Sequence, residues 1–314
     1  MWSQWWGEAA ALATAVCWSF TAILMSYSGR RVGADVVNRS RLLFAFGLLV
    51  VAHWALEGAF FPTGVEPFRW GWLGVSSVLG LVLGDAFLFR AYVLIGPRLS
   101  MLLMSTVPIF STLFGWWLFG EVVTGPEMAG IVLAVAGVGW VVTDGQSDLR
   151  LADRRVYRRG LLFGLLGALG QVANLVTARY ALVGDFSALS ATLIRIAIGA
   201  VIVWAVAALR GQVSHTLRQW HDGRALRAMA AASFVGPFLG IWLSLIAVQN
   251  ARLGIASTLM ALPPVILIPL EFALFRHRVS PRGLAGTVVA CSSGWYPALK
   301  RMSRFSLHPS SFIL

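Results

Sequence analysis

The sequence predicts an all-α membrane protein of ten transmembrane helices, arranged as two inverted repeats of five helices. Three observations support this fold class: the composition, a series of long apolar runs, and an internal repeat. Of the 314 residues, 58% are hydrophobic and only 12% are charged, with a mean hydropathy of +0.76. Soluble domains carry about 25% charged residues. The composition therefore excludes an ordinary soluble enzyme.

The apolar runs are each long enough to cross a bilayer, which takes about 20 mostly apolar residues in a helix. The intervening breaks carry turn residues or charge. The ten runs cover residues 8–28, 34–56, 70–94, 98–120, 126–143, 159–181, 186–208, 228–249, 253–275 and 282–299.

An internal repeat appears when the chain is shifted against itself by 156 residues. The matched pairs include Gly, Pro and Met as well as common apolar residues, so chance agreement is hard to sustain. They are Leu83-Gly84 with Leu239-Gly240, Ala91 with Ala247, Leu103-Met104 with Leu259-Met260, and Pro108 with Pro264. A shift of 154 residues brings Arg41 onto Arg195. Since each half has an odd number of spans, the second half enters the membrane from the opposite side, as in inverted-repeat transporters.

The repeat also predicts the domain organisation. We expect a first repeat over residues 1–143 with helices 1–5, and a linker over 144–158. A second repeat with helices 6–10 follows over 159–299, and a basic tail over 300–314. No Lys or Arg precedes the first apolar run, so we expect that run to stay in the protein rather than be cleaved as a secretory signal.

One segment resembles the EamA repeat of the drug/metabolite transporter superfamily. Residues 118–124, Leu-Phe-Gly-Glu-Val-Val-Thr, end a helix on a Gly-Glu pair and lead into a Gly-containing helix. Arg41, Ala91 and Pro108 also fit the pattern, whereas residues 276–277, Arg-His, replace Gly-Glu in the second half. The resemblance implies ten helices, two inverted repeats and a secondary transporter, commonly an exporter of amino acids or other small metabolites.

Two prolines are predicted to lie in the middle of transmembrane helices, at Pro108 and Pro264. A proline inside a helix leaves the carbonyl four residues earlier without its usual donor, here at Met104 or Met260. In a membrane such a carbonyl must meet protein or cavity water. The pair is thus expected to line a cavity, the alternative being kinks that serve packing alone.

Four ionisable residues are expected within the membrane: Asp85, Glu271, Arg41 and Arg195. A charge at bilayer depth costs about 2.5–3.5 kcal/mol on insertion scales, so it is retained for a partner, a cavity or a proton. Either carboxylate could exchange a proton during transport, or form a structural ion pair with an arginine. The arginines could instead extend to the lipid headgroups, since both lie near helix starts.

Polar and aromatic residues within the apolar runs complete the candidate cavity. Gln171 and Asn174 are three residues apart and share a helix face, where they could line a cavity or hydrogen-bond to a neighbouring helix. Trp18 and Trp242 lie well within spans, unlike the interfacial tryptophans. The predicted cavity residues are Trp18, Thr21, Met104, Pro108, Gln171, Asn174, Trp242, Met260 and Pro264.

The basic residues that give the chain its net charge of +12 are expected at the membrane surface, near lipid headgroups, rather than on a nucleic-acid-binding face. Fifteen Lys and Arg fall in loops on the linker side and five on the side of the termini. The positive-inside rule therefore puts the linker in the cytoplasm and both termini outside. The resemblance implies the opposite, with cytoplasmic termini.

The predicted function is secondary transport of small metabolites, in the export direction, by alternating access around a mid-membrane cavity. The expected partners are a small-molecule substrate and the lipid bilayer of the inner (plasma) membrane, with protons as a candidate coupling ion. A lipid flippase, a multidrug exporter of the same superfamily and a channel are alternatives. An intramembrane enzyme is a distant one, because residues 82–85 lack the first Gly of Gly-x-Gly-Asp. We expect no cofactor and no metal site.

Overall fold

The computed structural model describes residues 2–120, 151–184 and 186–267, together with Gly125, Met128, Val132 and Leu270. Throughout these residues the regular structure is helical. Seven helical stretches are long and apolar enough to cross a membrane, and an eighth, Leu253–Leu267, is apolar but shorter. The predicted spans at 126–143, apart from Met128 and Val132, and at 282–299 lie outside the described residues.

The described part of the first half contains five helices. They are α1 (Trp2–Val32), α2 (Ala34–Glu57), α3 (Pro67–Ser76), α4 (Asp85–Met104) and α5 (Val107–Phe119). A π-helical segment, Ser77–Gly84, joins α3 to α4 without a break, so that one span runs over Pro67–Pro97. Helix α4 is kinked at Gly96, whose backbone is not helical (φ 80°, ψ 168°), and its residues from Leu99 onward belong to the next span.

Six helices follow in the second half. They are α6 (Leu151–Ala181), α7 (Ala188–Leu209), α8 (Val213–Gln219), α9 (Gly223–Ser233), α10 (Ile241–Asn250) and α11 (Leu253–Met260). A second π-helical segment, Phe234–Gly240, joins α9 to α10 within the span Gly223–Asn250. The short helix α8 connects two spans and does not cross the membrane itself.

The two π-helical segments occupy equivalent places in the two halves. The backbone N–H of Asp85 bonds to the carbonyl of Gly80, and that of Ile241 to the carbonyl of Gly236. Each acceptor and each donor is shifted by the same 156 residues that align the sequences. A π-helical turn widens a helix locally and often occurs at functional sites.

The fourth apolar run is two helices rather than one. Its second helix, α5, begins at Val107 after a break at Ser105 and Thr106, so Pro108 lies in the first turn of α5. The prediction that Pro108 lies mid-helix is therefore wrong. A proline is well tolerated in a first turn, where its missing N–H would have no intrahelical acceptor.

The break recurs at the equivalent place in the second half. Thr106 N–H bonds to Leu103 O at 3.0 Å, and Leu262 N–H bonds to Leu259 O at 3.4 Å. The helix resumes over residues 263–267, so Pro264 also lies in a first turn rather than mid-helix. Both repeats thus carry a discontinuous helix at one shared position.

The halves interlock through the π-helical segments. Gly80 lies against Asn174 of α6, and Gly236 lies against Thr21 of α1; a Cβ on either glycine would come within 2.6 Å of those side chains. Gly170 of α6 likewise lies against Gly84, whose Cα would be 2.7 Å from an added Cβ. The long first helix of each half therefore packs on the widened helix of the other half.

At the end of the bundle where α1 stops, Asp222 ties α1 to α9. Its carboxylate accepts the backbone N–H groups of Arg224 and Ala225, both at 3.1 Å, and the Nε–H of Arg31 at 2.8 Å. The Ala225 N–H, followed by Arg31, holds the pKa of Asp222 below its usual range. Asp222 is thus both the N-cap of α9 and a link between the two halves.

We expect Gly170→Ala to destabilise the protein by about 1–3 kcal/mol, because its Cβ would press on backbone atoms that cannot rotate away. Thermal unfolding of the purified protein in detergent measures the change. The matched control is Gly47→Ala on the exposed face of α2, where an added Cβ meets nothing within 4 Å. Equal melting temperatures for the two variants would contradict the close packing of α6 on the first π-helical segment.

Candidate functional site

A cavity of about 70 Å³ lies where α1, α2, α4, α6, α7, α10 and both π-helical segments meet. Its walls include residues from both halves of the chain. Eight of the residues predicted from sequence line it: Trp18, Thr21, Arg41, Asp85, Met104, Gln171, Asn174 and Arg195.

Arg41 and Asp85 form an ion pair in the wall of this cavity, through Nη2 and Oδ2. Only 3% of Arg41 is exposed, so it does not extend to the membrane surface as the headgroup alternative required. Its guanidinium also donates to Asn38 Oδ1 at 3.1 and 3.0 Å and to the Leu81 carbonyl at 3.4 Å. The ring of Phe89 lies 4.8 Å from the guanidinium carbon and covers one face. Arg41 is therefore held on several sides at once.

Arg195, the repeat-related arginine, has a different environment. It is 1% exposed, and its Nη2 donates to the amide oxygen of Asn174. That oxygen also accepts the hydroxyl of Ser76 at 2.7 Å. Within the described part of the chain, Nε of Arg195 has no hydrogen-bond partner. The buried charge of Arg195 is therefore hydrogen-bonded to a neutral amide, whereas that of Arg41 is paired with a carboxylate.

The predicted polar face of α6 is present and is used for contacts within the protein. Asn174 Nδ2 donates to Gln171 Oε1 at 3.2 Å, and both side chains line the cavity. Arg195, Asn174 and Gln171 thus form a connected polar chain along the wall. The two alternatives for this face, hydrogen bonding and cavity lining, occur together.

A smaller hollow of about 20 Å³ adjoins the cavity at the helix breaks. Trp18, Met104 and Gln171 line both spaces, and Met260 lines the smaller one. Unbranched methionine side chains are flexible and can adapt to ligands of different shape. The hollow therefore extends the cavity toward the two discontinuous helices.

The remaining predicted residues are not in these walls. Pro108 and Pro264 lie beside them, and it is Pro263 that contacts the smaller hollow. Trp242 packs in the core with its ring centroid 6.1 Å from that of Phe238. Glu271 lies outside the described residues.

Several cavity residues were not predicted from the sequence. Leu88, Phe89 and Tyr92 line the wall next to Asp85, and the Tyr92 hydroxyl donates to the sulfur of Met101 at 3.0 Å. Their spacing of three, four and seven residues from Asp85 places them on the same face of α4. That periodicity could have identified them.

We expect Arg41→Met to lower the free energy of unfolding by about 3–5 kcal/mol, because it leaves Asp85 as a buried carboxylate without its cation. The double variant Arg41→Met/Asp85→Asn should recover much of this loss, since the charge is gone. Thermal unfolding in detergent measures both.

Arg90→Met is the matched control, because its partner Asp35 is exposed and a surface pair contributes about 0–1 kcal/mol. Equal stability of the single and double variants would show that the ion pair does not govern this site.

Comparisons with known proteins agree with this architecture. The sequence matches the EamA-like transporter family over residues 5–143 and 158–295. One solved crystal structure superposes with a TM-score of 0.68 at 20% sequence identity, covering 95% of this chain and 98% of that chain. At this identity the likeness concerns the fold alone. Among curated proteins no match was found.

Proposed function

Since the chain belongs to the EamA-like transporter family, we propose that it is a secondary transporter that exports small metabolites, amino acids or similar organic solutes. The family match and the membrane-spanning helices make it a multi-pass membrane transporter. The proposal adds the substrate class, the direction and a mechanism of alternating access.

The observation that carries the proposal is the cavity shared by the two halves. Trp18, Arg41 and Asp85 come from the first half, and Asn174 and Arg195 come from the second. Charged side chains in the interior of an apolar bundle are costly and mark substrate or ion pathways. A site built from both halves changes its access when one half moves against the other.

The discontinuous helices support alternating access. Both breaks, at 105–106 and 261–262, lie beside the smaller hollow, and both π-helical segments lie within spans whose residues line the cavity. Transporters built from inverted repeats use broken helices at their binding sites. We therefore propose ten spans in two inverted repeats of five, with the domain boundaries predicted from the sequence. The linker side would face the cytoplasm of an inner-membrane protein.

The size of the cavity favours small solutes over lipids. The cavity has a volume of about 70 Å³ in this conformation, which suits a small solute better than a phospholipid. A flippase or a multidrug exporter would need a much wider space. An intramembrane enzyme is not favoured, since residues 82–85 lack the first Gly of Gly-x-Gly-Asp.

Reconstituted full-length protein should catalyse saturable counterflow of labelled small metabolites in liposomes. Asn174→Leu should lower the rate by about tenfold or more, because Arg195 and Ser76 lose their shared acceptor. Val51→Leu on the exposed face of α2 is the control and should transport normally. Flux that does not saturate would indicate a channel, and movement of labelled phospholipid a flippase; either outcome contradicts the proposal.

Proton coupling through Asp85 is the second part of the proposal. Asp85→Asn should retain exchange at equal pH but lose accumulation driven by a pH gradient, because the amide cannot take up and release a proton. Arg41 keeps Asn38, the Leu81 carbonyl and the Phe89 ring as partners. Asp35→Asn, at an exposed ion pair, is the control. A wild-type response to pH in both Asp85→Asn and Glu271→Gln would refute coupling through these carboxylates.

A further inference from the structure

The charges do not balance among the residues of the cavity wall that the structure describes. Of these, Arg41 and Arg195 contribute two guanidinium groups and Asp85 one carboxylate, which gives the described lining residues a formal surplus of one positive charge. The repeat explains the imbalance, because the position equivalent to Asp85 at the shift of 156 is Ile241. The second half thus repeats the cation of the first half but not its anion.

The surplus lies nearest to Arg195, because Asp85 forms its ion pair with Arg41 and interacts with Arg195 only at longer range. Its carboxamide partner, Asn174, is neutral, and its Nε lies buried without a partner among the described residues. A desolvated guanidinium without a directly bound anion is costly and binds an incoming anion strongly. Arg39 is a second buried arginine and lies outside the cavity; it donates to Thr216 at 2.9 Å, also contacts Gln212, and interacts with Asp35 at longer range.

We infer that the transported solute is a small organic monoanion whose carboxylate binds Arg195. The inference rests on the proposed transport function and narrows its substrate class. The planar guanidinium matches a carboxylate in shape and offers parallel N–H donors. The Asn174 amide oxygen accepts from Nη2 of this guanidinium and orients it in the cavity wall.

The rest of the wall selects an apolar body with a single charge. Trp18, Leu88, Phe89, Met101 and Met104 surround the space with apolar and aromatic surface. A phosphate ester brings two negative charges against a surplus of one. A zwitterionic amino acid brings an ammonium group, and the one carboxylate that the described part of the lining offers it, Asp85, is already engaged by Arg41.

Four compounds with the same branched hydrocarbon body separate these chemistries: 4-methylpentanoate, 4-methylpentanamide, leucine and isopentyl phosphate. They are a monoanion, a neutral amide, a zwitterion and a dianion. Binding to the purified full-length protein in detergent is measured by the rise in melting temperature with ligand concentration. We expect 4-methylpentanoate to bind about 10- to 100-fold more tightly than the amide, and more tightly than leucine or the phosphate.

Arg195→Gln should abolish the preference for the acid over the amide. Arg195→Lys retains the charge but not the planar fork and should reduce the preference without removing it. Arg39→Gln removes a buried arginine outside the cavity and should leave the preference intact. If Arg195→Gln does not fold, the Lys variant and the Arg39 control decide the matter.

Binding and transport outcomes are distinguishable. Saturable counterflow of leucine or the amide at rates equal to the acid, or an acid preference that survives in both Arg195 variants, would overturn the inference and leave transport standing. Acid-selective binding without flux of any of the four compounds in liposomes would contradict the proposed transport function while supporting the anion site. Tighter binding of the phosphate than of the acid would also overturn the inference.

Discussion

The interior of this bundle is governed by the cost of holding charge away from water. Two arginines and an aspartate lie deep between apolar helices, and each must find its partners inside the protein. Arg41 meets a carboxylate, an amide, a carbonyl and an aromatic ring. These partners come from α2, the first π-helical segment and α4, so one side chain connects three elements of the first half.

The widened and broken helices follow from the same constraint. A site for a polar solute inside a membrane needs irregular backbone, and irregular backbone is tolerated there only when it is buried or lines a cavity. The π-helical segments carry glycines where the other half approaches, and the breaks place prolines in first turns. Each irregularity has its counterpart in the other half, whereas the charge of Asp85 has none. The site therefore combines backbone irregularities that both halves have with a carboxylate that only the first half has at this position.

Much of this architecture is readable from the sequence. The spans follow from apolar length, and the shift of 156 residues, carried by paired Gly, Met and Pro, recurs in the backbone hydrogen bonds at 106 and 262. The sequence does not show that the prolines lie in first turns rather than in the middle of helices. A proline inside an apolar run gives the same sequence pattern whether it kinks a helix or starts one. Asp85 forms its ion pair with Arg41 rather than with Arg195. Which arginine it pairs with depends on how three helices meet, and the periodicity of a single sequence does not specify that.

The packing of α1 on the second half of the chain has a consequence for the order in which the protein folds during synthesis. Thr14 of α1 lies beside Gly240, and the two are 226 residues apart in sequence. Helix α1 is therefore synthesised well before Gly240, and until then it contacts lipid or its own half. A chain truncated before the second π-helical segment lacks the residues against which Thr14, Trp18 and Thr21 of α1 pack.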